Sequence, residues 1–337
     1  MMIRHMRDLV IAGTFALATA AAATTPALAE DWPSLTLKFG HPYNEAHPLA
    51  RGAQMFSDLV AERSEGKIKV DVYPNSTIGS SRDLVESMQI GAVDFALVPT
   101  TNVASFYAPL DIFYLPFLFR DSAHAYAVAD GPIGQGLYDD MRQKIGIRTL
   151  AMYESGFRTI TTRRTKIEEP SDMAGIKFRV VNNPLNVDTF KALGAIPTPV
   201  ALSEVFTALQ QGTVDGQDNP IGNVKAFGYD KVQDFITLSR HQWAGIMFLA
   251  NERMWEAQPE HVQDLFQQAA KESEAWEREA LNDEEAQYLA EMEEAGMTVT
   301  RLTPEQSQAF QDEMHGIWDD YRSKLGAELI ESVVNTK

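Results

Sequence analysis

The sequence predicts an α/β protein with two lobes and a cleft between them. A strand–helix–strand–helix–strand order occupies the first hundred residues, and a second α/β pattern starts near residue 148. Alternating strands and helices are typical of sheets with helical crossovers, so the order favours a parallel sheet. Residues 259–296 are mostly helix formers without an internal glycine or proline, which predicts a long helix or helix pair that braces both lobes.

The first half of the chain contains five predicted elements. Polar and apolar residues alternate over 35–39 and 68–73, a period that is typical of strands. Apolar residues at helical spacing predict a helix over 47–64, and a serine start with a glycine stop predicts another over 81–91. Residues 94–98 form a short apolar run that indicates a buried strand.

The second half repeats this pattern. Strands are predicted over 148–153 and 176–180, and helices over 186–194 and 203–211. No low-complexity tract or flexible linker separates the halves, so we expect several short crossings between the lobes. The predicted lobe I contains residues 30–153 and about 244–283, and lobe II contains residues 154–243 and about 284–337.

The composition excludes several classes of protein. The chain has 337 residues, no cysteine and a formal net charge of −18. A general nucleic-acid binder needs a basic field, which this acidic chain lacks. Without cysteine the chain cannot form disulfides, zinc fingers, iron–sulfur clusters or a thiol nucleophile.

Residues 1–29 have the three parts of a secretory signal peptide in the correct order. Arg4 and Arg7 supply the positive start, residues 9–23 are apolar and small, and residues 27–29 (Ala-Leu-Ala) are a cleavage site. The alternative is a buried N-terminal helix. We expect export through this signal and a mature chain in the periplasm that begins at Glu30.

Two arginines are candidate anion-binding residues. Arg179 lies inside an otherwise apolar strand, and Arg158 follows residues 154–157 beside another strand. A guanidinium that is buried among apolar neighbours needs an anionic partner, and its planar fork matches a carboxylate. The partner is either a ligand or a carboxylate of the protein itself, and the sequence leaves both alternatives open.

A polar segment, residues 214–220, follows the glycine that ends the preceding helix and contains Asn219 before a proline. The Asn219 amide can offer a donor and an acceptor to a ligand, or it can form an Asx turn that caps the next helix. Residues 107–119 are rich in aromatics and proline, and we interpret them as core or interlobe packing.

The remaining motifs indicate no catalytic centre. His41 and His47 flank acidic and amide residues but lack the i, i+4 register of helical metal ligands, so we expect no metal site. Residues 131–136 contain glycines without the dinucleotide fingerprint, and the sequence has no P-loop and no GxSxG. We therefore expect no cofactor and no catalysis.

At these same residues the chain resembles the solute-binding proteins of TRAP (tripartite ATP-independent periplasmic) transporters, the DctP family. The resemblance covers nearly the whole mature chain. Its most specific segments are 114–119 (YLPFLF), 156–162 (GFRTITT), 175–180 (GIKFRV), 188–195 (DTFKALGA) and 199–220, which contains SEVFTALQQG and VDGQDNP. The resemblance implies a two-lobed periplasmic binding protein fold with a ligand cleft between the lobes and a long helix spanning both lobes.

The resemblance also implies ligand-binding residues. The family arginine that pairs with the ligand carboxylate corresponds to Arg179, a second ligand-facing arginine to Arg158, and a family asparagine to Asn219. Leu202 stands where the family often has an aromatic side chain that packs on the ligand. Further candidate ligand-binding residues are His41, Glu86, Thr100, Thr101, Asn183 and Trp243.

The function implied by the resemblance is that of a receptor. A small organic acid closes the lobes, and the closed form delivers it to a membrane permease with a small and a large integral subunit. We expect a monomer, and the residues suit dicarboxylates, sugar acids, hydroxy or keto acids and sulfonates alike. The alternatives are a periplasmic ligand-sensing protein for a signalling receptor and, more remotely, a periplasmic hydrolase, which needs a nucleophile facing the cleft.

Overall fold

One long strand, β4 (Ile147–Thr162), joins two groups of strands in the computed structural model, which describes residues 31–337. The first part of β4 pairs with β9 (Trp243–Asn251), and its last part pairs with β7 (Gly216–Pro220). The strands on the β9 side form the first sheet half, and those on the β7 side form the second sheet half. The predicted signal peptide, residues 1–29, lies outside the described residues.

The other elements alternate along the chain. The remaining strands are β1 (Leu35–Gly40), β2 (Ile68–Tyr73), β3 (Phe95–Pro99), β5 (Lys177–Val180), β6 (Ile196–Pro199), β8 (Phe235–Thr237) and β10 (Thr298–Thr300). The helices are α1 (Pro48–Arg63), α2 (Ser81–Gln89), α3 (Thr100–Val103), α4 (Ser122–Ala129), α5 (Pro132–Ile145), α6 (Pro184–Ala192), α7 (Val205–Gln211), α8 (Ile221–Ala226), α9 (Glu252–Glu256), α10 (Glu260–Glu294), α11 (Pro304–Leu325) and α12 (Ala327–Asn335).

The sheet is mixed rather than purely parallel. Its order is β2-β1-β3-β9-β4-β7-β5-β6, with β8 paired to β4 and β10 paired to β8. Within each half the predicted parallel pairing is present, because β1 is parallel to β2 and β3, and β5 is parallel to β6 and β7. The predicted parallel sheet is present only in part, because β9 is antiparallel to β3 and β4, and β4 is antiparallel to β7 and β8. β8 and β9 follow each other in the chain without a helix between them, and both pair antiparallel with β4.

β4 is much longer than the strand predicted over 148–153. It continues to Thr162, and its register with β9 shifts between Glu154 and Phe157. Gly156 in this bulge has a φ of +99°, a conformation that side chains with a Cβ rarely adopt, so the bulge favours glycine. Arg158 lies directly after the bulge, where β4 begins to pair with β7.

The predicted long helix is a single helix, α10, of 35 residues. It contacts α1 beside the first sheet half and α8 beside the second. Two of its glutamates attach it to β4: Glu274 accepts a hydrogen bond from the Met152 N–H at 2.6 Å, and Glu277 accepts one from the Glu154 N–H at 3.1 Å. The helix is therefore fixed to the strand that both sheet halves share.

The starts of α1 and α2 agree with the predicted helices, and each of the two has a side-chain cap. His47 is the N-cap of α1, and its ring accepts a hydrogen bond from the Leu49 N–H. α2 begins after Ser80, which forms a capping box with Asp83. The helix predicted over 203–211 begins as a 3₁₀ turn and continues as α7.

The polar segment 214–220 is not a turn. Residues 216–220 of it form the fully buried strand β7, between β4 and β5. Its polar side chains form hydrogen bonds with one another and with neighbours inside the sheet, as in the bond from Gln217 to Thr161 at 2.8 Å. A run of polar residues gives no alternating pattern, so its burial depends on partners that are distant in the sequence.

The close approach of β7 to β4 leads to a stability prediction. A Cβ at Gly216 would lie 2.5 Å from the Thr161 carbonyl oxygen and 2.9 Å from Thr162 Cγ2. Gly216→Ala should therefore lower the free energy of unfolding by about 2 kcal/mol, because the backbone must shift. Gly316→Ala, on an exposed face of α11 with open space around it, should raise it by up to about 1 kcal/mol. Urea unfolding of both variants checks this, and equal effects would contradict it.

Candidate functional site

A cavity of about 340 Å³ lies where several strands end. The residues around it follow the carboxyl ends of β1, β3, β5 and β7, which is the usual position of ligand sites in α/β sheets. Both sheet halves contribute. Polar and charged side chains at the cavity include Ser80, Ser81, Arg82, Thr100, Thr101, Asn102, Arg158, Arg179, Asn182, Asn219 and Asn223.

Six of the ten residues predicted from the sequence line this cavity. They are Arg158, Arg179, Asn219, Thr100, Thr101 and Leu202. Three come from the strands β4, β5 and β7, two from the start of α3, and Leu202 from the 3₁₀ turn before α7. The chain therefore brings residues from both sheet halves to one space.

The other four predicted residues lie next to the cavity or away from it. They are His41, Glu86, Asn183 and Trp243, and none of them is among its lining residues. Glu86 is half exposed on α2 and pairs with Arg82. Asn183 caps α6 and donates to Asp111 at 2.9 Å, while the Trp243 indole donates to Glu154 at 2.7 Å.

Neighbours of these four residues line the cavity instead. Tyr43 lies there rather than His41, Arg82 rather than Glu86, Asn182 rather than Asn183, and Ala244 to Ile246 rather than Trp243. Arg82 is one helical turn before Glu86, so the predicted helix borders the cavity through its preceding turn. Tyr114 also lines the cavity, inside the aromatic segment that is otherwise buried core, as predicted.

Arg158 is paired with a carboxylate of the protein. Its side chain forms an ion pair with Asp218, and both residues are almost completely buried. Burial alone would raise the pKa of Asp218, but the Arg158 charge and the hydrogen bond from His241 hold that pKa below its ordinary value. Of the two alternatives for Arg158, the ion pair within the protein is present.

Arg179 is buried without such a partner. Its Nε and Nη2 donate to the Val200 carbonyl at 3.0 and 2.8 Å, and its Nη1 has no hydrogen-bond partner among the described residues. Burial lowers the pKa of Arg179, and the nearby Arg158 charge lowers it further, although Tyr229 and Asp218 oppose this. Within residues 31–337 no carboxylate forms a salt bridge with it, so this cation at the cavity is suited to an anion from outside the chain.

Asn219 is held by side chains rather than by a turn. Its oxygen accepts a hydrogen bond from Asn223 at 3.0 Å, and its amide nitrogen donates to Gln217. The following helix, α8, begins at Ile221 without any side-chain cap. The Asx-turn alternative for Asn219 is therefore wrong.

Three buried residues contact one another in the same sequence, serine to histidine to aspartate, as the catalytic triad of a serine hydrolase. Ser239 Oγ lies 2.7 Å from His241 Nδ1, and His241 Nε2 lies 3.3 Å from Asp218 Oδ2. Ser239 does not line the cavity, and Asp218 is already engaged by Arg158. A nucleophile that cannot meet substrate gives no support to the hydrolase alternative.

Within residues 31–337, no group of three His, Asp or Glu side chains is placed to hold a metal ion. In the same part of the chain, no helix combines the length and the apolar character needed to cross a bilayer.

These features define a binding protein whose cleft lies between two α/β halves. The family model of bacterial extracellular solute-binding proteins, family 7 (DctP), matches residues 39–324, and the chain belongs to that family. The family consists of transporter solute-binding proteins and not of enzymes. The resemblance to the DctP family noted in the sequence is confirmed.

Relatives and solved structures agree with this assignment. A solute-binding protein from Verminephrobacter eiseniae is 38% identical over 244 residues, which are 72% of each chain. The C4-dicarboxylate-binding periplasmic protein DctP of Rhodobacter capsulatus is 32% identical over 324 residues, 94% of this chain and 95% of that protein. The sugar acid binding protein from Advenella mimigardefordensis in complex with galactonate is 32% identical, with a TM-score of 0.88 over 91% of this chain and 98% of the other. The predicted periplasmic binding protein fold is confirmed.

The Arg158–Asp218 pair leads to a prediction about pH. Because the pKa of Asp218 is lowered in the folded protein, its ionised form stabilises the fold above the unfolded pKa of about 4, and this contribution is lost as the pH falls below that value. Asp218→Asn should lower the free energy of unfolding at pH 7 by about 3 kcal/mol, since Arg158 keeps a buried uncompensated charge. The variant should also lose less stability than the wild type below pH 4. Urea unfolding across pH checks both, and parallel pH curves would contradict the prediction.

Proposed function

We propose that the protein is a periplasmic receptor that captures a small organic acid anion and delivers it to a TRAP membrane permease. The observation that carries this proposal is Arg179, a buried guanidinium at the cavity without a carboxylate partner in the described chain. A ligand carboxylate would supply the missing charge and accept the free Nη1–H.

The rest of the cavity supports an acid that carries a second polar function. Ser80, Ser81, Thr100 and Thr101 line the cavity from the first sheet half, together with Arg82. Leu202 offers no aromatic ring for stacking. Relatives bind C4-dicarboxylates and galactonate, and a cavity of about 340 Å³ suits acids of that size. We therefore propose a dicarboxylate or a hydroxylated carboxylic acid.

The proposed roles follow the geometry. Arg179 binds the carboxylate directly, Asn219 adds amide hydrogen bonds, and Thr100 and Thr101 contact the distal end of the ligand. Arg158 contributes a positive charge, and its guanidinium is already held in place by Asp218. We propose no direct ligand contact for the four predicted residues outside the lining, which are His41, Glu86, Asn183 and Trp243.

Delivery requires an open and a closed conformation, and it requires export of the protein from the cytoplasm to the periplasm. We propose the lobe boundaries predicted from the sequence, because residues 153 and 154 adjoin the β4 bulge and residue 283 lies within α10, which contacts both sheet halves. Closure of these lobes is driven by contacts that the ligand makes only in the closed form. Residues 1–29 are the proposed signal peptide for export to the periplasm.

A thermal-shift screen tests the ligand class. The chain from residue 30 onward is first unfolded and refolded to remove any acid carried through purification. The refolded protein is then screened against succinate, galactonate, galacturonate and erythronate. An acid that binds should stabilise the folded protein by about 2.7 kcal/mol when its concentration is a hundred times its Kd. Galactose and butanediol, which lack the carboxylate, are the controls. The absence of a shift with every acid, or an equal shift with galactose, would overturn the proposal.

A matched pair of variants separates the two arginines. Arg179→Met should leave the free energy of unfolding of the ligand-free protein unchanged or higher, because it removes an uncompensated buried charge, and should weaken acid binding roughly 30-fold or more. Arg158→Met should instead destabilise the free protein by about 3 kcal/mol, because Asp218 loses its partner. Urea unfolding and calorimetry with the acid from the screen measure both. Near-wild-type affinity in Arg179→Met would show that Arg179 does not bind the ligand.

A further inference from the structure

A run of side-chain hydrogen bonds reaches Asn219 from a residue outside the cavity. His47 Nε2 lies 2.9 Å from Asn223 Oδ1, and Asn223 Nδ2 donates to Asn219 Oδ1 at 3.0 Å. His47 does not line the cavity, whereas Asn219 and Asn223 do. All three residues are buried, so water competes little for these bonds.

The direction of these bonds is fixed at His47. The Leu49 N–H donates to His47 Nδ1 at 3.1 Å, so that nitrogen carries the lone pair and Nε2 carries the proton. Burial lowers the pKa of His47 to about 4, and the ring is therefore neutral at pH 7. As a result Nε2 donates to Asn223, which turns its oxygen to the ring and its NH₂ group to Asn219.

The same direction continues beyond Asn219. Asn219 donates to Gln217 Oε1, Gln217 donates to Thr161 Oγ1 at 2.8 Å, and the Thr161 hydroxyl donates to Gln233 Oε1 at 3.2 Å. An Asn219 amide turned by 180° would place NH₂ against NH₂ on one side and oxygen against oxygen on the other. Asn219 therefore has one orientation, which leaves one N–H and one oxygen lone pair for a ligand.

We propose that His47 is a positioning residue that orients the Asn219 amide toward the ligand through Asn223. The inference rests on the proposed function, because it requires that Asn219 contacts the bound acid. His47 precedes α1, beside the first sheet half, whereas Asn223 lies on α8, after the β7 strand of the second half. The contact therefore crosses between the two sides, and it adds to the orientation that Gln217 gives the Asn219 amide from within the second half.

Two substitutions distinguish positioning from simple attachment of the loop. His47→Asn keeps an N-cap acceptor for α1, because asparagine is a strong N-cap, but is too short to reach Asn223. Asn44→Ala is the matched control. Asn44 donates to the Ala226 carbonyl and accepts from the His47 backbone N–H at 3.2 Å, so it joins the same loop to the same helix without contacting the His47 ring, Asn223 or Asn219. Thermal unfolding of both variants verifies that they fold.

Calorimetry with the acid that binds in the screen of succinate, galactonate, galacturonate and erythronate measures the effect. His47→Asn should raise Kd about tenfold, as expected for a disturbed buried hydrogen bond, and Asn44→Ala less than about threefold. In an Asn219→Ala background, His47→Asn should change Kd by less than about twofold, because the residue through which it acts is gone. Equal effects of His47→Asn and Asn44→Ala, or a full effect without Asn219, would overturn the inference and leave the proposed function intact.

Side-chain NMR provides a second readout that a merely structural role would not change. In protein labelled with ¹⁵N-asparagine and saturated with the same acid, the Asn219 NH₂ pair is assigned by its loss in Asn219→Ala. His47→Asn should shift this pair and speed its exchange with water, and Asn44→Ala should not. An unchanged pair in His47→Asn would also overturn the inference. If the wild type binds none of the acids, the proposed function itself fails and the inference fails with it.

Discussion

Burial of the Arg179 charge without a protein carboxylate is the constraint on which the site depends. Removing a cation from water is costly unless an anion is supplied, and the Val200 carbonyl satisfies only part of this guanidinium. Folding has already paid this desolvation penalty before a ligand arrives. A carboxylate that enters the cavity therefore meets a charge that needs little further desolvation or ordering, which is the physical basis of preorganised binding.

The pairing of strands explains why Arg158 has a partner and Arg179 has none. Arg158 lies opposite Pro220 in the β4–β7 ladder, so Asp218, two residues from Pro220, shares its face and is within diagonal reach. Gln217 and Asn219 point to the other face, where the side chains of Asn223, Asn219 and Gln217 are joined by hydrogen bonds. Arg179 lies opposite Gln217 in the β5–β7 ladder, and its neighbour there is an amide rather than a carboxylate.

The sequence alone identified the arginines and Asn219, but it did not identify their partners. An arginine inside an apolar strand indicates a buried charge, yet its pairing depends on which strand lies beside it, and β7 is too polar to be recognised as a strand. The cavity residues of the first sheet half were harder to predict from the sequence for a similar reason. The helix that carries Glu86 and Arg82 is clear from its capping serine, but which turn faces the cavity follows from the packing of α2 on the sheet.

Net charge and ligand charge have the same sign in this protein, and local geometry resolves the conflict. A formal charge of −18 repels anions at long range, but at physiological salt this repulsion is screened beyond about 8 Å. At the cavity the nearest charges matter most. The Asp218 charge is neutralised there by Arg158, whereas the Arg179 charge has no carboxylate partner among the described residues. The acidic surface therefore acts on the rate of encounter, whereas in the proposed function the affinity for an acid depends on the unpaired Arg179 cation and on the Asn219 amide.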